Sequence, residues 1–146
     1  MFPSHPFAPL VIRGRTLLPV VQGGMGVGVS AHRLAGSVAR EGALGTIASI
    51  DLRHHHHDLL ERCRATPDRA TLEDANRVAL TREIHAARIL SEGRGMIAVN
   101  VMKAVSAQAD YVRVACESGA DAIVMGAGLP LDLPEMTQGY DIALIP

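Results

Sequence analysis

Two segments far apart in the chain carry one pattern. "EGALGTIAS" (Glu41–Ser49) and "SGADAIVMG" (Ser118–Gly126) each pass from a helix end through Gly and Ala into an apolar strand. The glycine supplies the left-handed residue that closes a helix. A helix-to-strand turn used twice implies repeated βα units. The strands that follow are continuously apolar instead of alternating, which is the pattern of strands buried on both faces of a parallel sheet. The chain is therefore expected to be α/β, as either an open sheet or a closed barrel.

The other elements follow from caps and periodicity. Leu17–Gln22 reads as a first strand ending at Gly23. Ser30 suits the N-cap of a helix to about Glu41, with Leu34, Ala35, Val38 and Ala39 as its apolar stripe and Gly42 as its stop. Leu44–Ser49 is the second strand. "IDLRHHHHDLLERCRATPD" is polar and irregular, with one helical turn expected around Leu59. "TLED", Thr71–Asp74, resembles a capping box with Asp in the Glu place, and opens a long helix to about Ser91. Met96–Met102 is the third strand, and Ser106 caps a helix ending at Ser118-Gly119. "DAIVMG" is the fourth strand, "AGLPLDLP" a loop, and "IALIP" the start of a fifth strand. An open five-stranded domain would lay a final helix on that strand, and a (β/α)₈ barrel needs roughly 250 residues. The 146 residues therefore read as a fragment, the first half of such a barrel, ending at strand five.

Composition narrows the function classes. Fourteen basic residues stand against 15 acidic ones, a formal net charge of −1. That balance offers no basic surface for nucleic acid or an anionic membrane. No apolar run is long enough to span a bilayer, and "MFPSHPFAPLVIRG" lacks the basic start and sustained apolar core of a signal peptide. Cys63 and Cys116 form no CxxC and read as free thiols in a reducing cytoplasm. Neither has a paired His, so no nucleophile is expected. Aromatic residues are only 3%, with no Trp, which disfavours binding by ring stacking.

"LLPVVQGGMGVGVSAHRLAG", Leu17–Gly36, poses the functional question, because strand, glycine cluster and helix in series are how a nucleotide loop reads. The glycines at 23, 24, 26 and 28 spell GGxGxG and not GxGxxG. Asp51 also lies further on than the roughly 20 residues a dinucleotide fingerprint asks for, and reads as a cap or solvated loop residue. The alternatives are a tight βα turn or a loop whose backbone approaches a flat ligand. Four glycines in six residues are costly to order, which favours the ligand. In "RHHHHD", Arg53–Asp58, neighbouring side chains diverge. At most two, such as His54 and His57, could share an ion, so the run reads as solvated loop and no metal site is expected. Lys103, after the third strand, could meet a ligand but reads first as solvated.

"PVVQGGMGVGVS", "GALGTIAS", "MIAVNVM" and "ADAIVMGAGLPLDLP" together resemble the nitronate monooxygenase family, once called 2-nitropropane dioxygenases. The resemblance runs from about Val11 to the end and covers only the first half of the family. It implies an FMN-dependent TIM-barrel oxidoreductase that oxidises alkyl nitronates with O₂ to a carbonyl compound and nitrite. It implies that Gly23, Gly24 and Met25 form a strand-one loop packed against the flavin. It implies that Asn100 hydrogen-bonds the cofactor, and that Gly126–Pro130 borders the substrate. Flavin-dependent enoyl-ACP reductases share similar opening motifs and are the second enzyme reading. A third reading is a non-catalytic half-barrel whose two open sheet edges favour association with a second half or a second copy. The family's general base is a His in a Gly-Gly-His segment, and none of the seven histidines here sits in one. The family's phosphate-binding loops come from its last strands, which are absent here as well. No catalytic residue is therefore assigned, and this fragment alone is expected neither to hold FMN tightly nor to turn over.

Overall fold

The apolar segments lie side by side in chain order. The computed structural model describes residues 7–146, so the first six residues of the signal-peptide reading lie outside the described residues. Leu10–Ile12 (β1) and Arg15–Leu17 (β2) form an antiparallel hairpin. Leu44–Ala48 (β3), Met96–Met102 (β4), Ala122–Gly126 (β5) and Ala143–Ile145 (β6) form a parallel sheet in the order β3-β4-β5-β6. Thr46 is level with Ala98, and Ala48 with Asn100. Asn100 is in turn level with Val124, and Met102 with Gly126.

The expected first strand is mostly absent. Leu17 belongs to the hairpin, whose turn residues Arg13 and Gly14 both have positive φ, the backbone a tight two-residue hairpin turn requires. Pro19 then interrupts the chain, and only a single parallel bridge, Val21 to Leu44, extends the sheet beyond β3. That bridge is held by Leu44 N–H to Val20 O (3.1 Å) and Gln22 N–H to Leu44 O (2.9 Å).

Among the described residues there are five helices: His32–Arg40 (α1), His57–Ala65 (α2), Arg69–Ser91 (α3), Gln108–Glu117 (α4) and Leu133–Met136 (α5). A 3₁₀ turn at Leu52–His55 precedes α2. None of the described helices is long and apolar enough to cross a membrane. The segment read as one helical turn is a full helix because Leu59 and Cys63, four apart, both bury. Asp68, not Thr71, caps α3, its side chain accepting the Thr71 N–H at 2.8 Å. Neither Ser30 nor Ser106 is a cap, since α1 and α4 start after Ala31 and Ala107 with no side-chain cap bond. Ser106 instead accepts a bond from Arg69 (2.7 Å). The loop after β5 holds the short helix α5.

Alternation along the strands separates two apolar layers. Ile47, Ile97, Val99, Val101, Ile123 and Met125 face the helices in the larger core. Leu44, Met96, Ala98, Ala122 and Ala143 face the other way, where Leu17, Leu10 and Ile12 of the hairpin cover them. The hairpin is clamped at that end by Arg15, which donates to Asp121 Oδ1 (2.9 Å) and Gly95 O (2.6 Å). The hairpin therefore closes the amino ends of this inner face.

Candidate functional site

The inner face carries two polar residues, Thr46 and Asn100, between its apolar layer and the carboxyl ends of the strands, the end where open α/β sheets and barrels take their ligands. By alternation from Leu44 and Ala98, the residues on this face are Thr46, Ala48, Asn100, Met102, Val124 and Gly126. Thr46 is 1% exposed, and its hydroxyl has no hydrogen-bond partner among the described residues. The half-buried Asn100 side chain also lacks one among the described residues. Buried polar groups are normally paired, so two adjacent strands carry hydrogen-bonding capacity that the protein leaves unused.

Gln22 to Ser30 folds across this end. A Cβ on Gly24 would sit 2.5 Å from Asn100 Cβ and 2.9 Å from its Nδ2, so the loop rests directly on the Asn100 amide. A Cβ on Gly26 would meet Ile50 at 2.8 Å, and one on Gly28, at φ +76°, would meet His55 at 3.0 Å. Three of the four loop glycines thus have a reason within the protein for being glycine. Gly23 alone has nothing within 4 Å of its Cβ position and no positive φ. The open side of the loop is therefore at Gly23, beside Met25, which is 47% exposed.

The fully buried Ser30 holds the loop shut. Its Oγ accepts the Met25 N–H (2.8 Å), donates to Gly23 O (3.1 Å) and lies 2.9 Å from Gln22 Nε2. Gln22 Oε1 accepts the Thr46 N–H of β3 at 2.9 Å, and Ser30 O accepts the Ala48 N–H at 2.9 Å. The loop is thereby tied to β3 at two levels.

Behind the loop lies a group that sequence reasoning missed. Glu83 of α3 is 1% exposed and accepts bonds from the His32 backbone N–H and from His32 Nδ1, both at 2.7 Å. His56 Nε2 lies 3.1 Å from its other oxygen. The carboxylate thus sits at the positive end of α1 and does the capping that Ala31 cannot. Burial, the largest influence, pushes the His56 pKa below its ordinary value, while Glu83 pulls it up. Periodicity offered a faint signal, since Glu83 falls between the buried Leu80 and Ala87 on the inward side of α3.

The remaining expected residues are dispersed. Lys103 is not a free solvated lysine: its ammonium bonds both Asp132 oxygens (2.5 and 2.6 Å) and holds that carboxyl below its ordinary range. A Cβ on Gly128 would lie 2.9 Å from Lys103 Cγ, so Gly126–Pro130 folds back over the end of β4. Asp51 pairs with Arg53. The histidines of the run point to separate neighbours: His55 to Gly28, His56 to Glu83, and His57 to Glu61 at 3.7 Å. No group of three or more His, Cys, Asp or Glu side chains among the described residues is arranged to hold a metal ion. Cys63 and Cys116 are buried free thiols, and burial pushes the Cys116 thiol up. In comparisons with known proteins, no family model matches the chain, and no curated protein matches it significantly.

Proposed function

We propose that the chain forms the first half of a TIM-type (β/α)₈ barrel whose strand ends receive the ring of FMN, for oxidation of a nitronate-like small molecule by O₂. The strand order supports the barrel. The Val21 segment, β3, β4, β5 and β6 neighbour one another in chain order, whereas a doubly wound open sheet reverses order at a switch point. The observation that carries the ligand is an Asn100 amide with no partner among the described residues, overlain at Gly24 by a loop whose neighbouring Gly23 is open.

These residues fit a flat heteroaromatic ring. The Gly23-Gly24 backbone offers a surface free of side chains, Met25 a polarisable edge, and the Asn100 amide a donor and an acceptor in one plane. FMN, when bound, supplies the redox chemistry; the chain orients the ring and keeps water from one side of it. No catalytic base is assigned among these residues. The two open sheet edges, at Val20–Gln22 and at β6, suit association with a further copy or half.

Lumiflavin, which has the ring but no phosphate, should bind within about threefold of FMN, since the contacts are to the ring. Quenching of flavin fluorescence measures both, and with no base assigned the FMN-loaded fragment is expected to release no nitrite from an added nitronate. Absence of quenching by either flavin would sink the assignment. Gly23→Ala separates binding from folding. With open space around the new methyl, thermal unfolding should change by less than about 1 kcal/mol. Lumiflavin affinity should fall by about tenfold or more as the Cβ enters the ring's place.

A further inference from the structure

We infer that Ser30 and Gln22 are positioning residues that buckle the glycine loop into its ligand-ready shape before any ligand arrives; this rests on the flavin reading above. A loop with glycines at four of six positions would otherwise sample many conformations, and a ligand would have to order it at the expense of affinity. The buckle removes that freedom in advance. Ser30 Oγ engages the loop at both of its sides, accepting from Met25 N–H and donating to Gly23 O. Gln22 Nε2 reaches the same hydroxyl, while its Oε1 is fixed to the Thr46 N–H of β3. The Met25 carbonyl accepts the Ser30 N–H at 3.0 Å, which closes the ring of bonds. Ser30 is wholly buried, so water does not compete for these partners. The consequence is directional. The peptide between Gly23 and Met25 is held against Asn100, and the open side of Gly23 faces outward.

The test uses the 146-residue chain without ligand first. In Ser30→Ala, exchange of the Met25 amide, resolved by NMR, should accelerate by about tenfold or more, while amides in the middle of β4 keep their protection. Gln22→Leu should loosen the same amide if Ser30→Ala proves too unstable to assign. Titration with lumiflavin at a temperature where the variant is fully folded then reads the positioning role: affinity should fall by about tenfold, and the resolved shoulder of the bound flavin's visible band should blur. Unaltered Met25 exchange in both variants would overturn the buckle, and a loosened loop with unchanged flavin affinity and spectrum would overturn its positioning role. If the unmodified chain binds no flavin while Met25 still loosens, the flavin reading falls and the buckle stands.

Discussion

Glu83→Ala should lower stability by about 3 kcal/mol, a loss that belongs to an uncompensated buried polar group and not to a surface ion pair. The carboxylate is 1% exposed and satisfies the first N–H of α1 and the His32 ring, each at 2.7 Å. Its removal leaves a helix start without an acceptor, because Ala31 offers none and the first turn of α1 contains no acidic residue. It also leaves a void between α1 and α3. A drop in the thermal midpoint of roughly 10 °C is expected for a domain of this size. Glu83→Gln keeps the volume and one acceptor, and should lose about half as much.

The same cluster sets a pH dependence. His56 titrates below its ordinary value, mainly through burial, with Arg82 and His55 acting in the same direction and Glu83 and Asp58 opposing. A histidine depressed in the folded state is protonated first in the unfolded chain. Stability from this group is therefore present above a pH of about 6.5 and is lost as pH falls from there through the folded-state value. Removing Glu83 takes away the strongest upward influence and should steepen that loss. Thermal melts of both proteins between neutral and mildly acidic pH check the sign.

Gly45→Ala should be comparably damaging, at about 3 kcal/mol, the upper end of the cost of overpacking. A Cβ there would lie 1.9 Å from Ala35 O and 2.6 Å from its carbonyl carbon, so backbone, not a movable side chain, would have to yield. β3 and α1 meet at the small residues Gly45 and Ala35, with Ala39 against Gly95 one turn on, and α1 cannot move outward without separating from α3, where Gly36 already lies close to Leu90. Denaturant midpoints for Gly45→Ala and Gly23→Ala, compared in one series, distinguish a glycine required by packing from one left open.

These contrasts explain which parts of the protein were legible beforehand. The parallel strands could be read because each is a continuous apolar run preceded by a helix-closing glycine, and β3, β4 and β5 fall within a residue of their expected bounds. The hairpin was not, because its strands are three residues each and "LVIRGRTL" carries its turn signal in a single Gly. Ser30 looked like a cap because serine before a helix usually is one, but tertiary contacts gave its hydroxyl to the loop and gave the helix terminus to Glu83, 51 residues away. Glycine spacing identified the loop but not the reason for each glycine. That depended on Asn100, Ile50 and His55, which only the fold brings near.

The proposed ring-binding face of Gly23, Gly24 and Asn100 is open to a lumiflavin titration followed residue by residue by amide NMR. Shifts should concentrate at the amides of Gly23, Gly24 and Met25 and at the Asn100 side-chain NH₂, with the hairpin around Arg13-Gly14 at the opposite end unmoved. Shifts centred on the hairpin, or none at the Asn100 amide at saturating lumiflavin, would contradict it.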